Sequence, residues 1–525
     1  MGSLQESALL VPNGGPMNLP APNTIATWTE TGRDDSAATI YITGEGKIQV
    51  SSTQSLCWLA LRWNIPTPTG AWILGDAWER GYGDLEWQGI VTERPLPWYA
   101  LIHAPNNTTS GWGVKTGANS LASWRVDATG VTLVLDVRNG GSGVHLAGRT
   151  LHAAQIVHLE SEVDEGAFAF ATRFCGALCD TPRLPTQPVY GGNDWYFRYG
   201  QISEETVKTD AALLRQLSPS RTNAPFFVID AGWFPGKGCN GGPYDTGNAD
   251  FPDLPGLAAW MKSQEVRPGI WMRPLLTEAP VPDSWRLTRD KTYLDPSVPE
   301  VLELVHADIA RLSGWGYELI KHDFSTFDIT GCWGFHMGGS MTRNGWAFTD
   351  RSRTTAEIIS TLYQVIREAA GDTYLIGCNT IGHLGAGLFE LQRTGDDTSG
   401  KHWERTRKMG VNTLAFRLPQ HNTLFAADAD CVGLTPDVPW DKNRQWLDAV
   451  ARSGTPLFVS ADPNAIGPEQ RAALEIAFAQ AAELQPSAEP LDWLENTCPR
   501  HWRFGTDEVT YDWDDFAGSA HACPG

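Results

Sequence analysis

The chain has 525 residues, 42% of them apolar and 19% charged, with a formal net charge of −21. That length exceeds one ordinary core, so two or three domains are expected. The acidic balance, without any basic run, argues against nucleic acid or anionic membrane as partners, and no apolar stretch reaches the roughly 18 residues of a transmembrane helix.

The opening MGSLQESALL lacks a charged segment followed by an apolar core, so no secretion signal is expected. Its first three residues are compatible with a replaced leader, which leaves the compartment open. Residues 1–183 read as an N-terminal antiparallel β-sandwich. The runs ATIYITGEGKIQV, LCWLALRWNI, GVTLVLDVRN and TLHAAQIVHLE are short and bounded by Gly, Asn, Asp and Pro, with almost no helical periodicity. Inside this domain GDAWERGYGDLEW (75–87) is dense in charge and Trp. It predicts either a hairpin packed on the next domain or a loop reaching over a site, with Asp76 and Trp78 at its tips. TPRLPTQP (181–188) marks the linker.

Residues 184–465 alternate between strand and helix. VYGGNDWYF and the continuous apolar run PFFVIDAGW predict parallel strands buried on both faces. Between them lies a helix from Ser203 to Leu217. LAAWMKSQ is helical and RPGIWMRP extended. Ser297 and Glu300 have capping-box spacing, and Leu302, Val305, Ile309 and Leu312 line one face of the helix that follows. YELIKHDFSTFD begins as a core strand and turns polar. Thr354 and Glu357 predict a second box, with Ile358, Leu362, Val365 and Ala369 inward. TYLIGC, LFELQRTGDD, VNTLAF and TPLFVS supply further strands. About eight β/α units over roughly 280 residues is the size of a central (β/α)8 TIM barrel; an open doubly wound sheet is the alternative, but no Gly-rich phosphate turn follows the first strand. Residues 466–525 predict one helix and a small C-terminal β-appendage. Nine scattered cysteines, of which Cys175 and Cys179 come nearest to a pair, form no metal-ligand pattern, so neither a metal nor a cofactor is expected.

In a parallel barrel, reacting groups stand where strands end. Those ends carry Asp194 and Trp195, Asp230 and Trp233, Trp271 and Arg273, Lys321 and Asp323, Cys378, and Arg393 with Asp396 and Asp397. Any single Asp there could be a helix cap; five or six in register point to a site. Carboxylates beside Trp, without paired His, fit glycoside cleavage, in which one carboxylate attacks or activates water and a protonated one assists the leaving oxygen. The heavy Trp load, 23 in all, points the same way, since indole stacks on sugar C–H faces. Asp323 and Asp396, from the fourth and sixth strands, are the best pair. Lys321 shares a face with Asp323 and favours its ionised form, whereas His322 points to the opposite face.

The stretches YGGNDWYFRYGQISEETV, FFVIDAGWF, FPDLPGLAAWMKSQEVRPGIWMRP, LDPSVPEVLELV with GYELIKHDFS, and GCNTIGHLGAGLFELQRTGDDTS occur in this order. Together they resemble the melibiase-type retaining α-glycosidases, glycoside hydrolase family thirty-six and its neighbour family twenty-seven. The resemblance implies Asp323 as nucleophile and Asp396 as acid/base, with Asp397 as the alternative acid one position away. It implies sugar contacts from Lys321, Asp230, Trp271 and Cys378, an Arg393 that holds a substrate hydroxyl or steadies a carboxylate, and an exo-acting α-galactosidase-like activity on a glycoside or oligosaccharide. Two positions depart from the pattern: Ala231 follows Asp230 where paired carboxylates are usual, and Arg273 stands where an acidic residue is usual. Both bear on the sugar, not the mechanism, so α-N-acetylgalactosaminidase-like or α-glucosidase-like specificity and transglycosylation stay open. A non-catalytic sugar-binding protein and a metal-dependent hydrolase are the readings from other classes. Homo-oligomerisation is undecided by sequence.

Overall fold

The computed structural model describes residues 19–220, 222–236 and 241–514. Residues 24–160 form two six-stranded antiparallel sheets. Leu56–Trp63 is central to the first, pairing with Thr24–Thr29 on one side and Gly130–Asp136 on the other. Its alternation buries Leu59, Leu61 and Trp63 on one face. Trp112 of the second sheet meets Trp63 and Trp124 of the first at ring separations of 5.7 and 5.8 Å, so the sheets share one aromatic core. A helix absent from the sequence reading, Ala167–Leu178, closes this region. It buries Ala167, Phe170, Ala171, Phe174, Cys175 and Leu178, a helical stripe containing one of the two candidate cysteines. Gly111 and Gly113 admit Phe174, because a Cβ on Gly111 would lie 2.4 Å from that ring.

The centre is one nine-stranded sheet whose ladders are all parallel. In spatial order its strands are Ala426–Asp428, Leu391–Arg393, Tyr374–Gly377, Leu319–His322, Arg267–Met272, Phe226–Ile229, Tyr190–Asn193, Leu457–Ala461 and Cys431–Leu434. The two edge strands are separated in sequence only by Ala429 and Asp430, so the sheet curls until its edges come together there. Asp430 lies at φ 68, the left-handed kink that divides them. Helices Glu204–Leu217, Leu254–Ser263, Pro299–Gly314, Thr355–Ala370, Trp440–Ser453 and Pro468–Ala481 accompany the strands. Pro468–Ala481, expected to belong to the C-terminal appendage, packs against Trp440–Ser453 and Glu204–Leu217. A three-stranded antiparallel sheet, Ala488–Pro490, His501–Phe504 and Asp507–Thr510, follows.

Several local expectations need correction. VNTLAF is helical, not extended: residues 407–412 form one wide π turn continued by the helix Thr413–Arg417, and the next strand is the broken pair 426–428 and 431–434. Ser297 caps nothing. The helix starts at Pro299 behind Val298, while the Ser297 amide bonds Asp295 and its hydroxyl accepts from Asp350. The box at Thr354 and Glu357 does form, with both reciprocal bonds. The inward face of that helix is centred on Ile359, Leu362, Tyr363, Ile366 and Ala370, leaving Val365 and Ala369 half-buried at its margin.

Sandwich and curled sheet are joined through buried contacts. The Trp98 ring stacks on His383 at 4.6 Å and 13°. Arg417 bonds Asp76 at 2.7 Å and donates to the carbonyls of Thr394, Ala77 and Glu79. Both ionic side chains are under 10% exposed, so removing the guanidinium strands a buried carboxylate and three carbonyls. Arg417→Ala is expected to lower unfolding stability by about 3–5 kcal/mol, measured by denaturant titration.

Candidate active site

Because every strand of the central sheet runs the same way, the residues following each strand collect at one end. Asp194, Asp230, Trp271, Lys321, Asp323, Cys378, Arg393 and Asp397 are there. They are linked by hydrogen bonds and charge into one cluster, with Asp323 at its centre.

Asp323 lies two residues beyond Lys321 on the same face, as the pleat dictates. The chain turns sharply after it, with Phe324 in the left-handed region at φ 64. That turn aims the Phe324 amide at Asp323 Oδ1, 2.7 Å away, and Asn379 N–H donates to the same oxygen at 3.0 Å. Trp271 Nε1–H donates to Oδ2 at 3.1 Å. Burial works to raise the pKa of this carboxyl. Lys321, Arg80 and the Trp271 bond outweigh it and hold the group below the ordinary carboxylate value, against a raising influence from Asp397. Asp323 is therefore an ionised carboxylate, 8% exposed, with both oxygens oriented by fixed donors.

Lys321 Nζ donates to Asp230 Oδ2 at 2.7 Å, and Asn193 Nδ2 donates to the same oxygen at 2.8 Å. Burial disfavours the ammonium, but Asp230, Cys378 and Asp323 overcome it and keep the pKa well above that of a free lysine. Asp230 Oδ1 is taken by the Ala231 amide, and the Asp230 amide donates to Asp194 Oδ1 at 2.9 Å. Asp194 is driven the other way. Burial, with the Asp230 charge beside it, pushes its pKa well above the ordinary carboxylate value, and its Oδ2 has no partner among the described residues.

The adjacent acids Asp396, expected as the partner of Asp323, and Asp397, the alternative, are held differently. Asp396 is held on both oxygens, Oδ1 by Arg80 Nη2 at 3.0 Å and Oδ2 by Arg405 Nη2 at 2.7 Å. Of the two, Asp397 is the one whose charge raises the pKa of Asp323. Its Oδ1 accepts from Arg393 Nη2 at 3.2 Å with Arg80 Nη1 3.8 Å away, and its side chain is 39% exposed, so the cluster reaches solvent here. Burial would raise the Asp397 pKa, yet Arg393, Arg80 and Lys321 hold it well below the usual carboxylate range. Arg393 spans Asp397, Asp430 at 2.8 Å and the Cys378 sulfur at 3.3 Å.

The remaining expected residues divide. Trp233 is fully buried and its only polar atom donates to the Trp271 carbonyl at 2.9 Å, so it is a packing residue, not a sugar contact. Arg273 is bound bidentately by Asp328, with Phe324 4.0 Å from its guanidinium carbon. Trp195 is half-buried beside Tyr199. Asp76 and Trp78 are not the tips of a loop: Asp76 pairs with Arg417, and Trp78, 4% exposed, donates to the Gly338 carbonyl. The same segment does reach the site, through Glu79 and Arg80. Glu79 accepts from Asn379, Tyr82 and the Gly334 amide, and Arg80 meets Asp396, Asp397 and Cys378. Sequence reasoning flagged this charged segment but not these residues. It also missed Asn193, Asn379, Arg405 and Asp430, which carry no signal apart from the fold. Among the described residues no group of three or more His, Cys, Asp or Glu is arranged to hold a metal, and no helix is long and apolar enough to cross a membrane.

His322 points away from this cluster, edge-on to Tyr363 and Phe389, with neither ring nitrogen bonded among the described residues. Burial pushes its pKa down to about 3. The unfolded chain thus binds a proton that the folded one refuses, so His322 contributes stability above its free pKa that is lost as pH falls from about 6.5 toward 3. Replacing it with Leu is expected to flatten the acid slope of stability by up to about 1.4 kcal/mol per pH unit in that window, read from denaturation midpoints at a series of pH values.

No protein-family model matches the chain, and no curated protein matches it in sequence. Solved structures do match. An α-galactosidase from Thermus thermophilus in complex with p-nitrophenyl α-D-galactopyranoside superposes with a TM-score of 0.60 at 18% identity, covering 89% of this chain and 94% of its own. A family thirty-six α-galactosidase variant from Geobacillus stearothermophilus bound to raffinose gives a TM-score of 0.61 at 15% identity, covering 87% of this chain and 68% of its own. An α-galactosidase from Lactobacillus brevis gives 0.55 at 13%, covering 83% and 62%. The chain has the fold of the family thirty-six α-galactosidases.

Proposed function

We propose that this protein is a retaining, exo-acting α-glycosidase of the α-galactosidase type, with Asp323 as nucleophile and Asp397 as acid/base. The observation that carries this reading is an ionised, rigidly oriented Asp323 facing a second, solvent-reaching carboxylate across the end of one parallel sheet. The curl of that sheet is read as an eight-stave barrel whose seventh stave is broken at Asp430. A fold shared with proteins whose structures hold galactosides and raffinose supports a sugar substrate.

In the first step an Asp323 oxygen forms a bond to the anomeric carbon as the bond to the leaving oxygen breaks, and Asp397 gives that oxygen its proton. Asp397 Oδ2 has no partner among the described residues, which leaves it available for the transfer. Lys321 and Asp230 face the same space and supply a donor and an acceptor to sugar hydroxyls. Forming the ester removes the negative charge from Asp323. The like-charge influence on Asp397 falls with it, so the same group becomes the base that takes a proton from water in the second step. With four cations around it, Arg393, Arg80, Lys321 and Arg405, Asp397 takes its acid form mainly at low pH, so activity is expected to peak on the acid side of neutrality. Asp396, with both oxygens committed to arginines, is read as an anchor. Transfer to a sugar acceptor would use the same intermediate.

A different sugar is the second reading, favoured by Ala231. With one carboxylate missing beside Asp230, one hydroxyl loses a partner, and a hydroxyl reader can discriminate by several kcal/mol. A panel of chromogenic α-glycosides decides both points. Asp323→Ala is expected to abolish turnover on whichever sugar the intact protein accepts. Asp397→Asn is expected to lower kcat about 10²–10⁴-fold on a poor leaving group and far less on an activated one, while Asp396→Asn follows neither pattern. Failure of the intact protein to turn over any α-glycoside would support a sugar-binding protein instead. Leaving-group dependence at Asp396→Asn, and not at Asp397→Asn, would restore Asp396 as the acid.

A further inference from the structure

We propose that Arg80, carried by the N-terminal sandwich, is a positioning residue of the reaction: it grips Asp396 as an anchor and seats Asp397 beside Cys378, so the second carboxylate is set by a different domain. This inference rests on the glycosidase reading.

Arg80 is 3% exposed although it belongs to a segment between strands, where arginines ordinarily reach water. Its two terminal nitrogens are divided. Nη2 lies 3.0 Å from Asp396 Oδ1, while Nη1 lies 3.8 Å from Asp397 Oδ1 and 3.9 Å from the Cys378 sulfur. The guanidinium carbon is 5.6 Å from the Trp333 ring centroid and 5.9 Å from that of Tyr82, an aromatic enclosure that limits where the cation can move.

The backbone beneath it is fixed on both sides. The Gly81 amide donates to the Thr394 carbonyl at 2.8 Å, and the Asp396 amide donates back to the Gly81 carbonyl at 2.9 Å. Arg417 binds the carbonyls of Ala77 and Glu79, and Glu79 is tied to Asn379 and Gly334. A Cβ on Gly81 would come within 2.9 Å of Thr413, so the strap sits in its groove with no slack. An ordinary interdomain ion pair would need only Asp396. The second nitrogen, directed at Asp397 and Cys378, is what that account leaves without a purpose.

Charge makes the proposal testable. Facing Asp397 are Arg393 from the preceding strand, Lys321 within and Asp323 just after the strand Leu319–His322, Arg405 from the following helix, and Tyr196 and Tyr199 from the first strand's loop. Facing Arg80 are also Glu79 and Tyr82 of its own strap. Arg80 favours the ionised form of both Asp397 and Asp323. Removing its charge therefore raises both groups. The nucleophile then ionises at higher pH, and the acid keeps its proton to higher pH.

The experiment compares pH profiles of kcat/KM on an activated α-glycoside for the intact protein, Arg80→Met and Arg80→Lys, with Arg80→Gln as a second neutral variant should Met not fold. Both limbs of the bell are expected to move up by about one pH unit or more in the neutral variant and to stay near their places with Lys. A bell of reduced height and unchanged position would overturn the proposal and leave Arg80 a structural tie. Carbon-13 titration of the Asp323 and Asp397 carboxyls in the same proteins gives a readout independent of turnover, with the same upward shift expected and no shift contradicting it. Absence of turnover by the intact protein would defeat the glycosidase reading, while this titration would still decide the part played by Arg80.

Discussion

A carboxylate buried at the end of a core strand stays ionised only if cations and donors are held around it. At Asp323 they come from widely separated parts of the chain: Lys321 two residues before, Trp271 from the neighbouring strand, the Asn379 amide from the next, and Arg80 from another domain. Lys321 and Arg80 also act on Asp397, where Arg393 joins them. The arrangement is thus one shared electrostatic unit of two anions and three buried cations, not two separate ion pairs. Its geometry requires that the sheet curl, that the polar ends of its strands coincide, and that the sandwich dock against it.

That requirement explains where the fold places its strongest local constraints. The left-handed turn at Phe324 aims its own amide at Asp323, and the left-handed turn at Asp430 breaks the strand that supplies the partner of Arg393. Both are conformations that non-glycine residues adopt at a cost, and both are over-determined by surrounding bonds. The interdomain seam is polar and buried, through Arg417, Asp76, Glu79 and Arg80, where packing alone could have joined two domains. Domain docking and site assembly are accordingly the same set of contacts.

The architecture was largely legible because its periodicities are simple. The continuous apolar run FFVI and the apolar opening of LIKH marked buried parallel strands, and Thr354 with Glu357 marked a helix start. Asp323, Lys321 and Asp230 could be placed for the same reason, since strand ends converge whatever the loops do. Misjudged features depended on tertiary context. VNTLAF has β propensity but lies in a helical turn under the strap. Trp233 sits at a strand end like Trp271, yet only the packing of Phe234, Tyr244 and Trp315 around it shows that it faces inward. Asp396 and Asp397 are adjacent acids on a loop, and no periodicity distinguishes which turns toward Asp323. The strap was visible as an anomaly in charge, but choosing Arg80 over Asp76 required knowing what lies opposite each.

The most direct measurement is covalent trapping. A 5-fluoro glycosyl fluoride of the accepted sugar slows both steps by opposing oxocarbenium character, while its activated leaving group restores the first, so the ester should accumulate and survive digestion. Peptide mass spectrometry is expected to find one added fluorosugar on the peptide spanning 317–328, with the mass on Asp323. A label on Asp396, Asp397 or any other residue, or steady turnover of the donor without any covalent adduct, would contradict the account.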